Sequence, residues 1–533
     1  MNNKIPVKPL SIFHFSFFML FCVSPARAQI QEQLSQTPKL IVGITIDQFR
    51  GDYLQYFLHT FGEGGFKRLF KDGLVYSNVT YDYPNISSAS AMATIFTGAN
   101  PFHHGIPGDK KFDVDLRREV PVFHDADYLG NYTTENLSPG ALMSSTIADE
   151  LKIASEGKSK IYAIAPDAAQ SIISGGHAAN AAFWLEDNNG KWATSTYYKD
   201  IPAYVDDYNL NEPLSRRIDD FSWKPALSMY AAFPYTKKQS AFHHYFRGND
   251  RFRLFKTSPF VNTEVTNLFG KFLKHANIGR NSCPDMLLLT YYAGTYKEQE
   301  DKAFSWEIQD TYYRLDKEIE NILNLVDKQI GFQHVVFFIA STGYFPAVEI
   351  QPDIMPVAGR FYPNRCVSLL NLHLMSLYGE GNWVTGYYNN QIFLNRKLIE
   401  DKQIHLADIQ RKAAEFTIQF SGVQDVSTLM ETLHGNWNES VARFRNGLYN
   451  GISGDIVIEL KPGWVLVDEK SSTQQTQSNN RAIIAPLIFF GQQIVPQRIF
   501  KTVKATRIAP TVTHVLRIRP PNAAREALLE EFM

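Results

Sequence analysis

Two stretches of this chain carry residues that can do chemistry together. The apolar run Leu40-Ile41-Val42-Gly43-Ile44-Thr45-Ile46 stops at a carboxylate, Asp47. Further on, the hydroxyl-rich turn Ile86-Ser87-Ser88 feeds small residues at helical spacing and closes on Thr97-Gly98. The first turn of a helix presents backbone N–H groups with no partner inside the helix, and these receive oxyanions or phosphate. A serine there is placed as a nucleophile. A serine with no base or metal beside it is an ordinary alcohol, however, and lacks the activation that nucleophilic catalysis needs. The structural readings are that Ser88 caps its helix, and that Asp47 caps backbone N–H groups or pairs with Arg50.

The elements that must position these groups follow from periodicity. A run of β-prone residues without alternation reads as a parallel strand buried on both faces, and open α/β sheets bind ligands beyond the carboxyl ends of such strands. Asp47 therefore falls where a site belongs. Ile161–Ala165, Met286–Tyr292, Val335–Ala340 and Ile483–Gly491 read as further buried strands. Helices are expected over Tyr53–Asp72, from Ser88, over Thr146–Ala154, and over Ser305–Ile330, the last with Ile308, Leu315, Ile319, Ile322 and Val326 on one stripe. The fold class is α/β: a mostly parallel sheet with helices on both faces, plus inserted cap regions at about 183–281 and 348–466.

Hydrophobic content of 44% and charged content of 20% are those of a globular protein. Residues 1–28 differ in kind. Lys4 and Lys8 precede an apolar stretch, Leu10 to Val23, and Ala26-Arg27-Ala28 forms a small-x-small cleavage site. This is the pattern of a secretory signal peptide, which makes 29–533 the mature domain, exported to the periplasm, outer membrane or cell surface, with no membrane span after cleavage. Losing Lys4, Lys8 and Arg27 with the leader moves the formal charge from −1 to −4. No long basic run remains, so nucleic-acid binding finds no footprint. Cys283 and Cys366 survive processing, and sequence leaves their pairing open.

The chain resembles the alkaline phosphatase superfamily, most closely its phosphate-irrepressible alkaline phosphatases and the type I phosphodiesterase/nucleotide pyrophosphatase group. Ile44-Thr45-Ile46-Asp47-Gln48-Phe49-Arg50, Gly64-Gly65-Phe66-Lys67-Arg68-Leu69, His104-Gly105-Ile106, Gly176-His177-Ala178-Ala179-Asn180, Gly386-Tyr387-Tyr388-Asn389-Asn390 and Ile508-Ala509-Pro510-Thr511 carry the resemblance, in the family's order. It implies two zinc ions clamping the attacking and leaving oxygens of phosphoryl transfer, with Asp47 at the first ligand position and Ser88 at the nucleophile position. Ser87 is the competing register for that nucleophile.

Elsewhere the family's chemistry is replaced. Thr295 and Gln299 stand where it has a carboxylate and an imidazole, and Ser341 and Thr342 where it has Asp-His. The phosphate-contact positions become Asp109 in place of an amide, and Asp167, Ala168 and Ala169 in place of Lys-Asp-Arg. No histidine lies between Ser471 and Pro486. His103, His104 and His177 sit in family-like motifs but at no ligand position. The expectation is an exported pseudoenzyme, not an enzyme, using no cofactor, and binding an envelope protein or a glycan. The alternative is a working phosphatase or phosphodiesterase that uses Ser88 with a site rebuilt from Asp47, Asp109, Asp167, Glu298 or His177. Asp47, Asp109 and Asp167 together also suggest a Ca²⁺ or Mg²⁺ site.

Overall fold

The computed structural model describes residues 37–113, 116, 118–198, 201–227, 242–297, 305–345, 359–435, 438–449, 453–461, 464–467, 475–477 and 483–533. The signal-peptide reading and two site residues, Glu298 and Gln299, lie outside these.

The architecture is built on one large sheet. Its strands are β1 (Leu40–Asp47), β2 (Leu74–Thr80), β3 (Gly130–Asn131), β4 (Ile161–Ala165), β5 (Ala181–Leu185) and β6 (Trp192–Ser195), followed by β7 (Asp285–Tyr292), β8 (Val335–Ser341), β9 (Ala485–Gly491), β10 (Gln497–Ile499) and β11 (Val503–Lys504). They lie in the order β10-β2-β9-β8-β1-β7-β4-β5-β6-β3, with β11 also paired to β2. The central strands β8, β1, β7, β4 and β5 run parallel, so their carboxyl ends share one edge. β9 is antiparallel to both β8 and β2, which makes the sheet mixed. β1 is buried along its whole length, and its neighbours β7 and β8 are equally buried. The absence of alternation in all three is explained by that position.

The periodic stretch Tyr53–Asp72 is two helices, Gly51–Phe57 and Phe66–Asp72, with a turn between. Tertiary structure breaks it: the buried Asp316 carboxylate accepts the backbone N–H groups of Gly62 at 2.9 Å and Phe66 at 2.8 Å. The long helix that carries Asp316 spans Trp306–Gln329 and starts at a Ser305 cap.

α1 (Ser88–Thr97) is buried at every residue. Its small side chains, Ala89, Ala91 and Ala93, permit that close packing. Ser87 caps it: the Ser87 hydroxyl accepts the Ser90 N–H at 3.1 Å, and the Ser90 side chain returns the bond to the Ser87 N–H at 3.0 Å. The expectation that Ser88 caps the helix is thus corrected. One residue of register separates cap from nucleophile position, and Ser87 takes the cap.

A second, smaller core sits in the later part of the chain. Strands Val384–Tyr388, Gln391–Leu394, Val423–Thr428 and Ile456–Leu460 form their own four-stranded sheet around Trp383, Ile392, Ile409 and Ile458. It braces the turn before α1, where the Asn390 amide donates to Asn85 Oδ1 at 2.7 Å.

Gly98 ends α1 in the left-handed region, with φ 66°. A Cβ there would meet the Ala524 Cβ at 2.9 Å and the Thr506 carbonyl oxygen at 3.1 Å. Gly98→Ala is expected to cost ~1–3 kcal/mol through backbone strain and contact, read as a lower midpoint in thermal unfolding.

Candidate active site

Four neighbouring strand ends and two helix starts meet at a single place. β1 ends at Asp47, β8 leads into Thr342, β7 ends at Tyr292, and β4 leads through Asp167 into α2 (Ala168–Gly175), which carries Gln170. Ser88 opens α1. Asp47, Ser88, Gln170, Asp109, Asp167 and Ala169 are among the residues lining one cavity of about 560 Å³.

At the floor, the Asp47 carboxylate is held entirely by neutral donors. Oδ1 accepts from the Thr342 hydroxyl at 3.0 Å and from the Gln48 N–H at 3.0 Å. Oδ2 accepts from the Gln170 Nε2 at 3.2 Å, and the nearby Ser88 hydroxyl favours the charged carboxylate. The same Gln170 Nε2 lies 3.4 Å from the Ser88 Oγ. Gln170 thus spans the carboxylate and the hydroxyl. Its own Oε1 is buried and has no hydrogen-bond partner among the described residues. Asp47 does not pair with Arg50, whose guanidinium is taken by Asp52 at 2.5 Å. Burial lifts the Asp47 carboxyl to about 7; the bonds from Ser88 and Thr342 oppose the rise, and the charges of Asp109 and Asp167 add to it.

Local backbone geometry fixes this arrangement. Gln48 adopts φ 56°, a conformation uncommon outside glycine and often found at functional sites. It turns the Gln48 N–H onto Asp47 and the Gln48 side chain toward Gly294, where a Cβ would stand 2.0 Å from Gln48 Oε1. A side chain at position 294 would displace the Gln48 amide or the Tyr292 hydroxyl.

The carboxylates nearer the mouth differ from one another. Asp167 is paired with Lys256 at 2.5 Å, and Lys256 is shared with Asp187 at 2.6 Å. Asp109 is open to the cavity yet densely surrounded by protein on its other sides. Burial, with the Asp167 charge, raises its carboxyl to about 6.

The other sequence candidates fall elsewhere. Ser341 donates to the Phe49 carbonyl at 2.6 Å and so secures a strand end. Thr295 offers its carbonyl to the Tyr292 hydroxyl at 2.7 Å. His177 pairs with Asp149 at 3.3 Å, at the start of helix Ile147–Ala154, and does not line the cavity. Cys283 and Cys366 are both free thiols. Gln170, Gln48 and Lys256 were not legible as site residues. Gln170 lies one residue beyond the segment aligned with the family's cationic motif, and a glutamine next to alanines gives no chemical signal of its own.

Among the described residues no three His, Cys, Asp or Glu side chains converge to hold a metal ion. A triple-carboxylate Ca²⁺ or Mg²⁺ site is therefore not formed. The donors around Asp47 are a hydroxyl pair and amides, without the anionic charge or imidazole nitrogen that two zinc ions require. The residues in place do not fit a two-zinc centre.

A mixed sheet with a strand-end carboxylate and a serine-headed helix at its carboxyl edge is the architecture of the alkaline phosphatase superfamily. The family described as type I phosphodiesterase / nucleotide pyrophosphatase matches residues 41–482, and the chain belongs to it. It is 30% identical over 515 residues to alkaline phosphatase PafA of Elizabethkingia meningoseptica, covering 91% of this chain and 93% of that one. It is 28% identical to alkaline phosphatase PhoV of Synechococcus elongatus, covering 98% and 100%. A protein named calcium-transporting ATPase from Myroides odoratus is also 28% identical, over 98% of each chain. The crystal structure of PafA superposes with a TM-score of 0.81 at 29% identity, covering 93% of this chain and 99% of that one.

These findings overturn three expectations. The inactive-scaffold reading and the non-enzyme reading do not stand, because near-full-length relatives are named alkaline phosphatases and share the fold. Their physical error was to equate lost zinc donors with lost chemistry. The chain keeps a serine hydroxyl linked through the Gln170 amide to a buried carboxylate. The expectation of no cofactor is withdrawn on the same ground, since membership in this family is what implies metal ions.

One histidine yields a pH test. His104 is fully buried; its Nδ1 accepts the Ile106 N–H at 3.1 Å, and its Nε2 faces the Thr94 hydroxyl at 3.3 Å. Burial lowers its pKa to about 3. Its unfolded counterpart titrates near the ordinary imidazole value of 6.5, so between those values only the unfolded chain binds the proton. Stability is then full above 6.5 and falls as pH drops toward 3, by up to ~1.4 kcal/mol per pH unit from this group. Thermal unfolding across that range is expected to show the fall, with a shallower slope in His104→Gln.

Proposed function

We propose that the chain is a phosphoric ester hydrolase that attacks phosphorus with the Ser88 hydroxyl. The observation that carries this reading is the Ser88 hydroxyl at the head of α1, linked through the Gln170 amide to the Asp47 carboxylate on the floor of a cavity. Family membership supports it.

The steps follow from the groups present. A substrate phosphoryl group enters the cavity with its non-bridging oxygens toward the first-turn N–H groups of α1. As the Ser88 Oγ–P bond forms, the hydroxyl proton passes to the Asp47 carboxylate. The bond from phosphorus to the leaving oxygen breaks on the opposite side, and that oxygen takes a proton from water. Water then attacks the seryl phosphate, phosphate or a monoester leaves, and Asp47 returns the proton to Ser88. Gln170 donates to both partners and restricts the hydroxyl to the reactive direction. Thr342 and the Gln48 N–H hold the carboxylate fixed.

Work outside the cytoplasm is part of the same reading, supported by the basic, apolar and small-x-small pattern of residues 1–28. Among the described residues no helix is long and apolar enough to cross a membrane.

Turnover of an aryl phosphate and an aryl phosphodiester by the purified protein tests the proposal. Ser88→Ala is expected to lower kcat/KM at least ~100-fold, with thermal unfolding unchanged. Equal turnover by the variant and the parent would remove Ser88 from the reaction.

A further inference from the structure

The motif Gly386-Tyr387-Tyr388-Asn389-Asn390 does not line the cavity, yet it touches both loops that feed it. Strands Val384–Tyr388 and Gln391–Leu394 pair antiparallel with Tyr388 opposite Gln391, which leaves Asn389-Asn390 as a two-residue turn. Both turn residues have positive φ, 47° and 58°, the backbone that a tight I′ hairpin requires.

The tip of this hairpin makes two polar contacts, each to a different loop. The Asn390 Nδ2 donates to Asn85 Oδ1 at 2.7 Å, three residues before Ser88. The Tyr388 hydroxyl donates to the Lys110 carbonyl at 3.0 Å, one residue after Asp109. The loops also meet one another, where the Ser87 hydroxyl donates to the Pro107 carbonyl at 3.4 Å. Neither belongs to the large sheet that ends in Asp47, and groups carried on loops are held only as accurately as the loops are supported.

That support is stiff on its own side. The Tyr387 hydroxyl donates to Asn390 Oδ1 at 2.6 Å, which turns the amide nitrogen toward Asn85. The Asn390 carbonyl accepts the Ile458 N–H at 2.8 Å, tying the tip to a neighbouring strand of the second core. Behind it, Phe393 packs on Phe112 with ring centroids 4.7 Å apart, and a Cβ at Gly386 would stand 2.7 Å from the Phe112 ring.

We propose that Asn390, together with Tyr388, is a positioning residue for the reaction: the hairpin tip sets the Ser88 turn against the Asp109 loop from outside the cavity. This rests on the phosphoric ester reading and extends its machinery into the second core. Displacing a reacting group by about 1 Å costs up to ~100-fold in rate, so a bridge at this distance bears on turnover without touching substrate.

Asn390→Gly tests it. Asn-Gly is the preferred dipeptide for this turn, so the hairpin keeps its backbone while the side-chain bridge is lost. Asn389→Gly alters the same turn and leaves both contacts in place. With whichever aryl phosphate or aryl phosphodiester the parent turns over, Asn390→Gly is expected to lower kcat roughly tenfold with KM unchanged, and Asn389→Gly to match the parent. Asn85→Gly, at a position whose φ of 56° glycine accepts, is expected to lose the same factor, and the double variant no more than either single one. Hydrogen exchange measured by mass spectrometry on the full chain reads the same contact without turnover. Peptides over residues 83–92 and 105–112 are expected to exchange faster together in Asn390→Gly and not in Asn389→Gly. Unchanged exchange in Asn390→Gly, an equal loss of kcat in Asn389→Gly, additive losses in the double variant, or a lower thermal midpoint with kcat retained would each overturn the inference. The hydrolase reading fails separately: a parent that turns over no ester while the exchange contrast persists would reject the hydrolase and keep the hairpin's hold on the two loops.

Discussion

The site depends on how one buried carboxylate is held without a cation. Asp47 lies at the end of the central strand, and its charge is disfavoured by burial and by the acids beyond it. That cost is offset by the Thr342 hydroxyl, the Gln48 N–H and the Gln170 amide, with the Ser88 hydroxyl close by. Each donor comes from a different element, so the carboxylate ties together the ends of β1 and β8 and the starts of α1 and α2. The proposed nucleophile and its proposed base are both tied to Gln170.

That arrangement separates two roles that metal sites usually combine. A metal ion orients a nucleophile and also supplies positive charge to the phosphoryl group. Hydrogen bonds from an amide and a hydroxyl supply orientation alone. Positive charge must then come from the cations that line the cavity, of which Lys256 is already neutralised by two carboxylates.

Much of the fold was legible because buried parallel strands leave a distinctive run of apolar residues. β1, β4, β7 and β8 lie where those runs place them. The Tyr53–Asp72 stretch misled because its apolar spacing stays helical across Gly62–Gly65, while Asp316, far off in sequence, captures the backbone there. At the site, Asp47 and Ser88 were readable from strand end and helix start. Gln170 was not, since an amide acquires its role only from what it touches. The inactive-scaffold reading failed for a related reason. Sequence shows which family ligands are gone and says nothing about which new contacts hold the groups that remain.

The sequence by itself determined the family, the strand-and-helix order, and the presence of Asp47 and Ser88 at opposite approaches to one sheet edge. Those follow from periodicity and local stop signals, which act over a few residues. Only the tertiary structure decided that Ser87 caps while Ser88 faces the carboxylate, and that Gln170 spans the two. These depend on contacts between segments far apart along the chain, and no local pattern encodes them.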